Sequence, residues 1–266
     1  MNILDEIIAR KHVEVAERKQ LYPTKKLEQT VYFQNPVYSL KEFVQRKDKS
    51  GIIAEIKRKS PSKGDINTTV SIERTSKGYV QAGASALSVL TDYKFFGGSN
   101  YDLTVARSFN ACPILRKDFV IDEYQVIEAK SIGADAILLI AACLEPKKLS
   151  SLAVFARSLK LEILMEVHNE AEVLDNLNAP IDLIGVNNRN LKTFVTDIEI
   201  SKRLSDHIPS HLTKVSESGI EKTGTIIELK KYGYQGFLMG QNFMQHSSPE
   251  TACKEFIDEL NLAEGK

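Results

Sequence analysis

The sequence predicts a single α/β domain, a (β/α)8 TIM barrel that carries an N-terminal helical extension. From residue 51 onward, eight short apolar runs alternate with helical segments, and continuous runs of this kind are typical of parallel strands buried on both faces. The repeats recur about every 20 to 35 residues, and the 266-residue length suits a closed barrel. An open doubly wound sheet usually shows a GxGxxG turn after its first strand, and this sequence has none there.

The N-terminal segment has a different composition from the rest of the chain. Its apolar residues recur at helical spacing: Ile3, Leu4, Ile7, Ile8 and Val15. This spacing predicts an amphipathic helix over residues 2–20 with a charged outer face. Acids and bases alternate on that face, which favours a helix packed on the main domain over one lying on a membrane. We therefore divide the chain into an extension, 1–48, packed on a barrel, 49–266.

The eight predicted strands lie at 52–54, 86–90, 113–115, 136–140, 161–165, 183–186, 214–215 and 236–239. Helices are predicted between them at 71–82, 123–132, 146–158, 170–177 and 223–231. Three of these helices are followed by a glycine of the C-cap type, Gly83, Gly133 and Gly233, which supports the predicted ends.

Composition argues against nucleic acid and membranes as partners. The 35 basic side chains are balanced by 35 acidic ones, whereas a polyanion-binding face needs clustered Lys and Arg. The N-terminus does not resemble a secretory signal, and no stretch approaches the roughly 18 apolar residues of a membrane span. Cys112, Cys143 and Cys253 have no CxxC spacing that would suggest zinc or redox chemistry. We expect a cytoplasmic protein.

Polar residues follow the apolar runs, where the strands are predicted to end. They are Glu55 and Lys57 after the first run, Arg116, Lys117 and Asp118 after the third, Glu166 after the fifth, Asn187, Asn188 and Arg189 after the sixth, Glu217, Ser218 and Gly219 after the seventh, and Gly240 after the eighth. Because all strand C-termini of a parallel barrel open on one face, we expect these groups to meet in one mouth. Strand ends are charged in many proteins, but two lysines facing two glutamates in one cleft favour an active site with perturbed pKa values.

Two glycines indicate a phosphate site. Gly219 and Gly240 directly follow the last two predicted strands, and Gly240 opens a predicted short helix whose backbone N–H groups would attract a dianion. The basic loop at 57–65 is either a mobile lid over an anionic substrate or an ordinary solvated loop. The histidines lack the spacing of a metal site, and no Ser/His/Asp or Cys/His constellation is evident.

The chain resembles the indole-3-glycerol phosphate synthases of tryptophan biosynthesis. The matching motifs are AEIKRKSPSKG at 54–64, LTD at 90–92, FGGS at 96–99, LRKDF at 115–119, EVH at 166–168, GVNNRNL at 185–191, SESGI at 216–220 and LMG at 238–240. They extend through nearly the whole chain, and several are too long for chance agreement. Gln241 departs from the family, which more often has Ser or Glu there.

The resemblance implies a lyase that closes the indole ring of 1-(2-carboxyphenylamino)-1-deoxyribulose 5-phosphate, with loss of carbon dioxide and water and without metal or cofactor. It implies Lys117 as general acid, Glu166 and Glu55 as groups that stabilise the cationic nitrogen or take a proton, and Lys57 as a carboxylate-binding or proton-donating group. Asn187 and Arg189 would position Glu166 and the substrate, and Phe119 would form an apolar wall. Ser60, Gly219 and Gly240 match phosphate contacts, with Glu217, Ser218 and Gln241 as further substrate-binding candidates.

Other activities remain open at this point. A related sugar isomerase would pair a Cys with an Asp at strand ends, but Cys112 precedes its predicted strand. A Schiff-base aldolase could use Lys57 or Lys117, whereas a non-catalytic phosphate-binding scaffold would not need both lysines with both glutamates. We expect a monomer that acts on a small phosphorylated molecule, and association with other enzymes of the pathway is left open.

Overall fold

The computed structural model describes residues 3–191 and 193–266, and its centre is a closed barrel of eight parallel strands. The strands are β1 Ile52–Ile56, β2 Ala86–Leu90, β3 Ile114–Lys117, β4 Ala136–Ile140, β5 Glu162–Val167, β6 Leu183–Asn187, β7 Thr213–Glu217 and β8 Tyr234–Met239. Consecutive strands pair in parallel, and β8 pairs with β1 to close the barrel. The predicted fold class is therefore confirmed. Residue 2, the first of the predicted N-terminal helix, lies outside the described residues.

Helices pack around the barrel and across its two ends. They are α1 Ile3–Leu21, α2 Thr24–Leu27, α3 Leu40–Gln45, α4 Ile72–Gln81, α5 Tyr93–Phe96, α6 Asn100–Phe109, α7 Glu123–Ser131, α8 Pro146–Ser158, α9 Glu170–Asp175, α10 Glu199–Leu204, α11 Thr223–Lys231, α12 Gln241–Met244 and α13 Pro249–Ala263, with 3-10 turns at Ala141–Cys143 and Ser205–His207. The five predicted helices between strands agree with α4, α7, α8, α9 and α11 to within two residues at each end. Gly83, Gly133 and Gly233 have φ of 100°, 95° and 83°, the left-handed C-cap conformation that glycine adopts without strain.

Two apolar layers form the core, because side chains alternate along each strand. The outward side chains pack beneath the helices, and the inward ones fill the barrel. The inward set is Ile53, Ala86, Leu115, Ala136, Leu138, Ile140, Leu164, Leu183, Val215 and Leu238. Burying each large aliphatic side chain of this set contributes about 1.5–3 kcal/mol.

The N-terminal segment covers both ends of the barrel. Leu40 and Val44 of α3 join the inward apolar set, and Ser39 beside them bonds to Glu162 at the start of β5, so α3 closes the end where the strands begin. Helix α1 lies at the opposite end. Its Lys11 departs from the predicted charged outer face, since it is buried against Asp92 and Asp118, which follow β2 and β3. The carboxylates of Asp92 and Asp118 attract the Lys11 ammonium toward the barrel.

The strands continue further than the apolar runs predicted. The residues that lie within strands rather than after them are Glu55, Arg116, Lys117, Glu166, Asn187 and Glu217. The ladder registers explain this difference, because Leu90 still pairs with Lys117, and Asn187 with Glu217. The basic loop after β1 also has structure, a short hairpin of Lys59–Ser60 with Gly64–Asp65. Within the described chain, no helix is long and apolar enough to cross a membrane.

Candidate active site

Strand geometry directs the predicted residues into the mouth of the barrel. Side chains two residues apart along a strand face the same way, so the residue two positions after an inward apolar residue also points into the barrel. The pairs are Ile53 and Glu55, Leu115 and Lys117, Leu164 and Glu166, Val215 and Glu217, and Leu238 and Gly240. Four strands therefore place a charged group directly above the apolar barrel core, and Gly240 takes the corresponding position just after the end of β8.

These side chains line one cavity of about 670 Å³ at the C-terminal ends of the strands. All thirteen residues that were assigned a role in the site border it: Glu55, Lys57, Ser60, Lys117, Phe119, Glu166, Asn187, Arg189, Glu217, Ser218, Gly219, Gly240 and Gln241. The structure brings these positions together, while the individual roles stay predictions. Arg116 and Asn188 were also expected in the mouth but do not line the cavity, because their side chains bond to Glu128 and to Ser216 and Ser201, respectively.

The Lys117 ammonium is held between two buried carboxylates. Its Nζ lies 2.7 Å from Glu166 Oε2 and 2.9 Å from Glu217 Oε2. Asn187 donates from Nδ2 to the other oxygen of Glu166 at 3.1 Å, which fixes the plane of that carboxylate. Glu217 is fixed by close packing, because a Cβ on Gly185 would lie only 2.1 Å from Glu217 Oε1.

The two carboxylates around Lys117 differ in proton affinity. Burial would lower the pKa of Lys117, but Glu166 and Glu217 outweigh it and hold that pKa above its usual range. Burial likewise opposes the charge of Glu166, yet Lys117 and then His168 lower its pKa to about 2. Burial raises the pKa of Glu217 to about 7 against the pull of Lys117, and repulsion from Glu166 adds to the rise. One carboxylate thus keeps its charge, and its neighbour can exchange a proton near neutral pH.

A second cation–carboxylate pair lies at the C-terminal end of β1. Lys57 Nζ is 2.6 Å from Glu55 Oε1, and the Glu55 side chain is almost completely buried. Gly240 makes room for this carboxylate, since a Cβ there would lie 2.5 Å from Glu55 Oε1. A side chain at position 240 would therefore displace Glu55.

Backbone conformation shapes the rim that sequence analysis assigned to phosphate. Ser218 and Gly219 have φ of 68° and 77°, and a Cβ on Gly219 would lie 2.5 Å from Thr196 Cγ2. Gly240 directly precedes α12, and the first N–H groups of a helix have no partner within it. Ser60, on the loop hairpin, borders the same cavity.

Several cavity residues were not predicted from the sequence. Phe96 packs on Phe119 with ring centroids 5.9 Å apart, and Ile3, Leu4 and Ile7 of α1 border the cavity from above. The helical spacing of the α1 residues predicts that they face the barrel, but nothing local indicates that they face a site formed by residues far along the chain. Across residues 3–191 and 193–266, no cluster of three or more His, Cys, Asp or Glu side chains has the geometry to hold a metal ion.

Comparison with known proteins decides the family. A family model described as indole-3-glycerol phosphate synthase matches residues 4–256. The chain belongs to the indole-3-glycerol phosphate synthase family. The resemblance seen in the motifs is thereby confirmed, as are the predicted function and enzyme class, a carboxy-lyase.

Relatives of this family match nearly end to end. Indole-3-glycerol phosphate synthase of Bacteroides thetaiotaomicron is 47% identical over 256 residues, covering 96% of this chain and 98% of its own. The enzyme of Caldanaerobacter subterraneus subsp. tengcongensis is 42% identical, covering 97% and 98%, and that of Campylobacter fetus subsp. fetus is 40% identical, covering 97% and 100%. Among solved structures, thiamine phosphate pyrophosphorylase from Pyrococcus furiosus superposes with a TM-score of 0.59 at 14% identity, over 84% of this chain and 99% of that one. The last match supports the fold alone.

Proposed function

We propose that the cavity at the strand C-termini binds 1-(2-carboxyphenylamino)-1-deoxyribulose 5-phosphate and converts it to indole-3-glycerol phosphate, carbon dioxide and water. The observation that carries the proposal is the Lys117 ammonium held between the buried carboxylates of Glu166 and Glu217. This arrangement keeps an acid fully protonated next to a group that can accept a proton, which a ring closure followed by dehydration requires.

Lys117 acts as the acid in ring closure. As the aromatic carbon that bears the carboxylate attacks the ribulose C2 carbonyl, Lys117 donates a proton to the carbonyl oxygen, which becomes a hydroxyl. Positive charge develops on the anilino nitrogen, and the carboxylates of Glu166 and Glu55 are the groups that stabilise it. Both carboxylates are almost completely buried, and fixed charges in such surroundings stabilise a developing charge more strongly than water does.

Carbon dioxide and water then leave in turn. The carboxylate leaves as carbon dioxide, and its bonding electrons return to the ring system and neutralise the nitrogen. The new hydroxyl leaves as water with a proton from a lysine, while a glutamate takes the proton that the ring gives up. Lys57 is a candidate for the donor in this step or for a group that binds the substrate carboxylate, since its ammonium borders the same cavity and lies 2.6 Å from Glu55.

The remaining residues bind and orient the substrate. Ser60, Ser218, Gly219, Gly240 and Gln241 surround the phosphate at the rim, Phe119 lies along the anthranilate ring, and Arg189 and Asn187 position the substrate and Glu166. The 3.1 Å bond from Asn187 to Glu166 supports this last role. In this proposal 1–48 and 49–266 act as one unit, and the chain works in the cytoplasm as a monomer, without metal or organic cofactor.

Fluorescence or ultraviolet absorbance of the indole product, formed from the anilino-ribulose substrate, tests the proposal. Lys117→Ala should slow turnover by about two to four orders of magnitude, the range for loss of a general acid. Lys147→Ala, on the exposed face of α8, is the matched control and should leave the rate unchanged. A Lys117→Ala enzyme that is folded and near wild-type in rate would remove the assignment. Borohydride trapping of a substrate adduct on a lysine would instead favour Schiff-base chemistry.

A further inference from the structure

His168 lies beside Glu166, and the proposed reaction gives it no role. It follows Glu166 by two residues at the end of β5, and only 13% of its side chain is exposed. Its Nε2 is 3.4 Å from Glu166 Oε1, the oxygen that also accepts from Asn187. This buried nitrogen has no hydrogen-bond partner among the described residues, so the Glu166 carboxylate is the charge that it faces.

Glu172 holds the other side of the imidazole. Its Oε2 lies 3.3 Å from His168 Nδ1 and accepts the His168 backbone N–H at 2.7 Å. The second oxygen of Glu172 accepts from Asn169 at 2.7 Å. Glu172 belongs to α9, so the ring is fixed from the helix that follows its own strand.

Each ring nitrogen therefore faces a carboxylate oxygen. A neutral imidazole has one donor and one acceptor nitrogen, so one carboxylate would face a lone pair, whereas the imidazolium donates on both sides. Burial opposes that charge, but Glu172, Glu166 and then Glu217 outweigh it and raise the pKa of His168 above its usual value. The thiol of Cys143, in the turn after β4, lies near the same carboxylates, and burial keeps it neutral by raising its pKa.

We propose that His168 is a positioning residue: oriented by Glu172, its imidazolium keeps Glu166 ionised and directed toward Lys117. This inference rests on the proposed function, because it acts through the Glu166–Lys117 pair. Glu166 and Glu217 lie around one ammonium and titrate as a unit, so a positive charge beside Glu166 favours the state in which both are ionised. Removing the charge should move the upper protonation step of this carboxylate pair to higher pH.

The pH profile of turnover measures the effect in His168→Asn. We expect the acid limb of kcat to move up by about 0.5 to 1 unit, which makes the variant about three- to tenfold slower than wild type below the limb, with little change in KM. Glu172→Gln should move the limb in the same direction by a smaller amount. His211→Asn is the matched control, because His211 is exposed near the start of β7 at the other end of the barrel.

Nuclear magnetic resonance titration of the histidine rings provides a readout that does not depend on catalysis. His168→Asn assigns the His168 signal, whose midpoint should fall by at least about half a unit in Glu172→Gln and in Glu166→Gln. Unchanged midpoints in both variants, or a His168→Asn pH profile that superimposes on wild type, would overturn the inference. If His168→Asn does not fold, Glu172→Gln decides by both readouts. If no protein forms indole product, the proposed function fails, whereas the titration still decides whether His168 is coupled to the two glutamates.

Discussion

The buried ion pair between α1 and the barrel mouth gives a prediction whose size follows from the structure. Lys11 is 1% exposed, and its Nζ lies 2.9 Å from both Asp92 Oδ2 and Asp118 Oδ1. In Lys11→Met, Asp118 keeps Arg116 at 3.2 Å and the Thr91 hydroxyl at 2.5 Å. Asp92 Oδ2 loses its cation and has no hydrogen bond to replace it.

Removing one partner of a buried ion pair typically lowers the unfolding free energy by about 3–5 kcal/mol. Because Asp118 keeps two partners, we expect a loss near the lower limit of this range. At roughly 0.6 kcal/mol per kelvin for a chain of this length, a loss of about 3 kcal/mol lowers Tm by about 5 °C. The matched control is Lys19→Met on the same helix, where an exposed pair with Asp122 contributes about 0–1 kcal/mol. The double variant Lys11→Met/Asp92→Asn should recover at least about 1 kcal/mol, because Asn still caps α5 but carries no charge.

Calorimetry and urea unfolding over a range of pH complete the test. Burial opposes the charge of Asp118, but Lys11 and then Arg116 hold the pKa of that carboxyl far below its usual range. A carboxyl with a depressed pKa stabilises the fold at neutral pH, and this stabilisation is lost as the pH falls below the carboxyl's ordinary pKa of 3.8. The difference in unfolding free energy between wild type and Lys11→Met should therefore become smaller toward pH 3. Equal Tm values for Lys11→Met and Lys19→Met at pH 7 would refute the reasoning.

Three further predictions concern the cavity. Ser60→Ala should raise KM with little change in kcat, and steady-state kinetics that show the reverse would exclude a phosphate contact. Gly185→Ala should lower kcat about 10- to 100-fold, because its Cβ would displace Glu217 from Lys117, whereas Gly224→Ala in α11 has open space and should retain full activity. Burial raises the pKa of Glu217 from its ordinary value of 4.5 to about 7, so between these pH values unfolding releases a proton and wild-type stability falls as the pH rises. Glu217→Gln removes this loss, so its unfolding free energy should exceed that of wild type by a margin that grows over this range to about 1–3 kcal/mol at pH 7; parallel stability curves would contradict this.

The barrel and its mouth were predictable because strand patterns are local. Apolar runs indicate strands, and the polar residues that follow them indicate the C-terminal ends where a barrel has its active site. The sequence alone therefore predicts that Glu55, Lys117 and Glu166 lie in one cleft. The sharing of one ammonium by Glu166 and Glu217 could not be predicted. It depends on the stagger of strands around the barrel, which a single sequence does not encode in any short pattern.

Long-range polar contacts were also beyond sequence analysis. Lys11 lies among alternating charges on an amphipathic helix, where a basic residue is expected to face water. Its burial is stable only because Asp92 and Asp118 lie at neighbouring strand ends, and nothing in the helix itself indicates those partners. His168 was recognised only as a member of a family motif, since its contact with Glu172 requires the turn between β5 and α9 to be known.

The end of β3 links the extension to the chemistry. Arg116, Lys117 and Asp118 are consecutive, and in an extended chain their side chains alternate in direction. Lys117 points into the mouth, while Arg116 binds Glu128, which in turn binds Arg18 of α1. Asp118 receives Lys11 of the same helix. Helix α1 is thus linked to Asp118 by a buried ion pair and to Arg116 through the partly buried Arg18–Glu128 pair, so the helix that walls the cavity also restrains the strand that carries the proposed acid.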